Sequence, residues 1–107
     1  MATFVFDIDG TICSHADGNY DLAQPIKERI KFINKLYDSG NQVIFYTARG
    51  MGTFKNNSLA ASQKWQALTE IQLNEWGVNF HALFFGKPAG DFYIDDKAIN
   101  DLEFFTL

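Results

Sequence analysis

The chain predicts an α/β fold built on a parallel sheet, and three observations lead there. Short all-apolar runs alternate with stretches of helical periodicity along the whole length. Runs of this kind suit strands buried on both faces, as in parallel sheets. Each run also ends in polar residues: Asp7/Asp9, Thr47/Arg49, Lys87 and Asp95/Asp96. Parallel strands would carry all four clusters to one edge of the sheet, where open α/β sheets bind their ligands.

The first strand is expected over residues 3–6, running straight into Asp7 and Asp9. A stretch containing Gly and Asn, residues 14–24, follows and is long enough only for a small flap. Pro25 suits the first turn of a helix. Ile26, Ile30, Ile33 and Tyr37 then recur at spacings of four, three and four to give one apolar stripe, and Gly40 supplies a stop. A second strand is expected over 42–46 and a second helix over 58–76, presenting Ala61, Trp65, Leu68 and Ile71 and closed by Gly77. A third strand is expected over 80–85 and a short fourth over 92–94. Residues 102–107 are too apolar for a solvated tail, and an edge strand or packing under the sheet both fit them. Right-handed crossovers complete the layout.

At 107 residues and 12.2 kDa the chain reads as a single domain, residues 1–107. A chain of this length buries roughly 65% of its unfolded surface. The 47% hydrophobic content, with 11 Phe, argues for a dense core and against disorder. Net charge is −4, which disfavours a polyanionic partner such as nucleic acid. Cys13 is the sole cysteine, so no internal disulfide forms. No leader segment or run of roughly 20 apolar residues is visible. The expectation is a cytoplasmic protein off the membrane.

Two carboxylates spaced by one residue at a strand end, with Gly10 allowing close backbone approach, look like a Mg²⁺ and phosphoryl site. Asp7, Asp95 and Asp96 together would repel one another and a phosphate dianion, and Mg²⁺ relieves such repulsion. Lys87 offers a compact positive charge. Two roles stand open for Arg49, a ligand for a substrate carboxylate or second phosphate, and a loop-supporting ion pair.

Asp7-Ile8-Asp9-Gly10-Thr11, then Thr47, then Lys87, then Asp95-Asp96 resemble the four ordered motifs of the haloacid dehalogenase (HAD) superfamily. Any one alone is weak, whereas four in order across nearly the whole chain are specific. The resemblance implies a three-layer Rossmann-like parallel sheet with flanking helices and no cap domain. It implies a phosphatase that works through an aspartyl-phosphate. Asp7 matches the nucleophile, and Asp9 matches the acid that protonates the leaving oxygen and then takes a proton from water. Thr47 would donate to a phosphate oxygen and Lys87 would offset the negative charge. Asp7, the Asp9 carbonyl and one or both of Asp95/Asp96 would hold Mg²⁺. Substrate would lie against Thr47, Ala48, Arg49 and Gly10.

Within the superfamily, Arg49-Gly50-Met51, Lys55-Asn56-Asn57, Gly86-Lys87-Pro88 and the run from Gly90 to Ile99 are similar to small phosphatases of capsular polysaccharide biosynthesis. Those commonly have a longer segment between the lysine and the final acid pair, and Ser-Arg-Asn-Met where this chain has Ala48-Arg49-Gly50-Met51. The implied substrate is a small phosphorylated metabolite, a sugar phosphate, touched beyond its phosphate by the loop 49–57. An open site also admits nucleic-acid ends or phosphoproteins, or a lid from a second copy in a homo-oligomer. A silent phosphate- or partner-binding module is the non-enzymatic alternative.

Blander readings stand beside these. Asp95-Asp96 would also suit a helix start before Lys97-Ala98-Ile99. Cys13 and His15 are too few for a zinc site, so Cys13 reads as a small residue packed behind the first loop. His81 reads as a satisfied core or edge histidine, Asp91 as structural, and Asp17, Asp21, Glu70 and Glu75 as solvated faces.

Overall fold

The computed structural model describes residues 1–106. Strands β1 (Thr3–Phe6), β2 (Gln42–Thr47) and β3 (Ala82–Phe85) form one parallel sheet in the order β1-β2-β3. Helix α1 (Lys27–Asp38) joins β1 to β2, helix α2 (Ser58–Glu75) joins β2 to β3, and a short α3 (Asp101–Phe104) follows. A 3-10 turn, Tyr20–Leu22, sits in the flap. No helix among the described residues is long and apolar enough to cross a membrane.

Alternation along the strands assigns two faces to the sheet. Phe4, Phe6, Val43, Phe45 and Leu83 share one face and pack with Ile30 and Ile33 of α1 and Leu73 of α2. Both helices therefore cover the same side. The cause is topological: two right-handed crossovers stepping in one direction, β1 to β2 to β3, put both helices on one face. The other face carries Val5, Ile44 and Phe84, with Val5 60% and Phe84 54% exposed. The expected three layers are thus two, one sheet and one layer of helices, among the described residues.

The first helix begins at Lys27, two residues after Pro25, and buries Ile30 and Ile33 as its stripe requires. Gly40, at φ +91, ends it in a conformation that favours glycine. Asn57 caps α2, its side-chain oxygen accepting from the Ala60 N–H at 3.1 Å. The buried face of α2 is not the expected one. Ala61 is buried, but Ile71 is 53% exposed, while Thr69, Gln72 and Leu73 point inward. A helix that faces a buried cation turns polar side chains toward it, as the site below makes plain.

Residues 92–94 form no strand. Six residues, 86–91, separate β3 from Phe92, whereas a parallel return needs a crossover of a dozen or more. The chain instead runs exposed through residues 88–100, with Phe92 86% and Ile94 97% exposed. No helix starts at Asp95; the next begins at Asp101, capped by the Asn100 side chain.

The C-terminal segment packs under the sheet edge as a helix, not as a strand. Phe104 contacts Phe4, Phe6 and Phe32 at ring separations of 5.9, 5.6 and 5.5 Å. Arg29 fastens its start, with Nη1 2.7 Å from Asp101 Oδ2 and donating to the Thr11 carbonyl at 2.9 Å. Leu107 lies outside the described residues. His81 is satisfied as expected, its Nδ1 accepting from the Val43 N–H at 3.0 Å and its ring stacked on Tyr37 at 4.5 Å.

Replacing Phe104 with Ala should cost about 2–3 kcal/mol, below the ~3–5 of a fully buried Phe because this ring is only half-buried. Thermal unfolding checks it: the midpoint should fall by roughly 10 °C with the sheet otherwise intact.

Candidate functional site

Three of the four expected polar clusters meet at the carboxyl edge of the sheet. An open cavity of about 350 Å³ is lined there by Asp7, Asp9, Ala48, Arg49 and Lys87. The flap closes one side with His15 and Tyr20, and Tyr93 closes another.

Asp7 directly follows β1, whose pairing with β2 fixes where the carboxylate emerges. Its Oδ2 accepts from the Thr11 hydroxyl at 3.3 Å, and Oδ1 lies 3.5 Å from Lys87 Nζ. Lys87 reaches that place because its N–H donates to the Thr47 carbonyl at 3.2 Å, extending the β2–β3 ladder past the end of the sheet. Its ammonium also sits 4.2 Å from the centre of the Tyr93 ring. Burial pushes the Asp7 carboxyl above its ordinary value of 3.8, and the Lys87 charge opposes that push without cancelling it.

The loop after Asp7 folds back on itself. Gly10, at φ +81, donates its N–H to the Cys13 carbonyl at 2.9 Å, while Thr11 and Ile12 donate to the Ile8 carbonyl. The Gly10 N–H is thereby occupied within the protein. At φ +81 the backbone of Gly10 favours glycine, and the His15 imidazole packs directly over it. Cys13 is fully buried behind this loop, as expected, and burial pushes its thiol up to about 12.

Asp9 meets Arg49 in a two-pronged ion pair, with Nε donating to Oδ2 at 2.9 Å and Nη2 to Oδ1 at 3.0 Å. The guanidinium is fully buried. Its Nη1 donates to Thr69 Oγ1 at 3.1 Å and Gln72 Oε1 at 2.6 Å, and the Tyr20 ring lies 4.9 Å from Cζ. This is why α2 turns Thr69 and Gln72 inward. Of the two roles open for Arg49, the ion pair is the one formed. Tyr20, Thr69 and Gln72 were absent from the sequence-derived site. Their one linear signal is a pair of polar residues three apart on an otherwise apolar face of α2.

Thr47 is fully buried, and its hydroxyl oxygen accepts from the Arg49 N–H at 3.1 Å, bracing the turn after β2. Of the loop 49–57, only Arg49 lines the cavity; Asn56 instead accepts from the Ala89 N–H at 3.0 Å. Asp95 and Asp96 do not join the site. They are exposed, Asp95 accepts from the Lys97 N–H at 3.1 Å, and that bond holds its carboxyl below the ordinary value.

Of the expected magnesium carboxylates, Asp7 faces the cavity, while Asp95 and Asp96 stand exposed away from it. Among the described residues, no three His, Cys, Asp or Glu side chains come together as a cation site. What the arrangement provides is two carboxylates balanced by two cations: Asp7 beside Lys87, and Asp9 in the fork of Arg49.

Two outcomes follow from these environments. Because the folded value of Asp7 lies above the unfolded one, its charged form costs stability that is absent below about pH 3.8 and grows as pH rises through the folded value. Asp7→Asn should therefore raise the unfolding midpoint near pH 7 and leave it unchanged near about pH 3. Cys13 should resist alkylation by iodoacetamide at about pH 8 in the native protein and react once urea unfolds it.

No protein-family model matches this chain, and no curated protein matches it. Among solved structures it is similar to the crystal structure of an MCSG target from Vibrio cholerae. The TM-score is 0.91 and the sequence identity 25%, over 100% of this chain and 89% of that one. That likeness supports the compact α/β arrangement of a parallel sheet with flanking helices.

Proposed function

We propose that this protein hydrolyses phosphate monoesters, with Asp7 as nucleophile and a small phosphorylated metabolite, a sugar phosphate, as substrate. The observation that carries the reading is the Asp7–Lys87 pair, 3.5 Å apart beside Asp9 at the mouth of an open cavity. The ordered resemblance of Asp7, Asp9, Thr47 and Lys87 to the HAD motifs supports the same chemistry.

Phosphate monoesters hydrolyse extremely slowly in water, so dividing the reaction into two displacements lowers the barrier. An Asp7 oxygen attacks phosphorus, an O–P bond forms, and the P–O bond to the leaving group breaks. The leaving oxygen takes a proton from Asp9. Water then attacks the phosphorus of the aspartyl-phosphate, giving Asp9 a proton and releasing inorganic phosphate with Asp7 restored. Lys87 offsets charge on the nucleophile and on the transferring group. The acidic balance of the chain, −4 overall, favours a small substrate over a nucleic acid.

Magnesium belongs to the proposal through the resemblance, since the assembled side chains supply only Asp7 as a carboxylate ligand. When bound, it would offset charge on the phosphoryl oxygens.

A panel of phosphorylated sugars and p-nitrophenyl phosphate, assayed with Mg²⁺, tests the reading. Asp7→Asn should abolish phosphate release, and turnover surviving that change would overturn the nucleophile assignment. Chelation with EDTA should stop the reaction; full activity in EDTA would remove magnesium and leave the role of Asp7 standing.

A further inference from the structure

We infer that Arg49 is a positioning residue for Asp9, held by Thr69, Gln72 and Tyr20, and that it does not bind substrate. The inference rests on the phosphatase reading, because it assigns a partner to the proton-transferring acid of that reaction.

Three observations carry it. First, the guanidinium has no exposed side-chain surface, whereas Asp9 keeps 19%. Four of its N–H groups are already committed, two to Asp9, one to Thr69 and one to Gln72. A guanidinium has five N–H donors and cannot accept, so little is left to offer a second phosphate or carboxylate. Second, its partners are themselves braced. The Thr69 hydroxyl donates to the Trp65 carbonyl at 2.8 Å, and Gln72 Nε2 donates to the Tyr20 carbonyl at 2.6 Å. Tyr20 in turn packs edge-on against Trp65 at 4.8 Å, and its hydroxyl accepts from the Gly50 N–H at 2.9 Å. Third, this bracing spans the flap, the turn after β2 and α2, so that three separate segments fix one planar fork.

A fixed fork sets the plane of the Asp9 carboxylate. Both Asp9 oxygens accept from Arg49, and an oxygen that carries a proton cannot donate it to a guanidinium. To act as an acid, Asp9 keeps one oxygen on Arg49 and turns the other, protonated, toward the leaving oxygen. Lysine cannot replace Arg49, because a single ammonium cannot serve Asp9 in two places and Thr69 and Gln72 as well.

Steady-state kinetics on a sugar phosphate and on p-nitrophenyl phosphate test the assignment. Arg49→Lys should lower kcat on the sugar phosphate by roughly 30- to 100-fold, with KM within about threefold. On p-nitrophenyl phosphate, whose leaving group needs little protonation, the loss should stay under about fivefold. Asp9→Ala should show the same split between substrates, and adding Arg49→Lys to it should cause no further loss, since the two act as one unit. Gln72→Met, at a residue that does not itself line the cavity, removes one brace and should give a smaller loss with the same leaving-group dependence, which covers the case in which Arg49→Lys fails to fold. A rise in KM with kcat unchanged, or equal losses on both substrates, would overturn the positioning role. Turnover surviving Asp7→Asn would instead remove the phosphatase reading, so the two failures are separable.

Discussion

A single buried cation organises the carboxyl edge of the sheet in this molecule. Removing the Arg49 guanidinium from water is expensive unless acceptors replace the water it loses. Asp9, Thr69 and Gln72 are those acceptors, and each lies on a different part of the chain from Arg49. Satisfying one charge therefore ties the loop after β1 to the turn after β2 and to the C-terminal part of α2. The flap joins through Tyr20, whose ring covers the guanidinium. Breaking this network by removing one partner would leave a buried charge unsatisfied, so packing and site geometry are set by the same contacts.

The second constraint is the length of the connection after β3. With only six residues between Phe85 and Phe92, the chain cannot cross back to add a parallel strand beside β1. It spends residues 88–100 as an exposed segment and closes by docking Phe104 and Phe105 against the β1 edge and α1. Among the described residues no strand extends the sheet on the far side of β1, and no further crossover covers the second face. Val5 and Phe84 stay exposed on it for that reason.

Asp7 illustrates a balance between burial and charge. Burial works against its ionised form, and Lys87 at 3.5 Å works for it. Burial prevails, so the carboxyl stays above its ordinary value despite the adjacent ammonium. The same loop buries Cys13, and that burial pushes its thiol up to about 12.

Much of this architecture was legible in the linear chain, because strand runs and helical stripes are local signals. The three strands, the two long helices and the meeting of Asp7, Asp9, Arg49 and Lys87 all follow from residues that carry apolar runs into polar ends. What the sequence could not decide was settled by long-range geometry. The fourth strand depended on whether six residues suffice for a crossover, and the buried face of α2 on a cation 20 and 23 residues away. The partners of Arg49 were likewise open until the fold placed Asp9, Thr69 and Gln72 around its guanidinium. Local pattern fixed which residues reach the sheet edge; only tertiary packing decided which of them face the cavity, since burial and hydrogen-bond satisfaction belong to the folded whole.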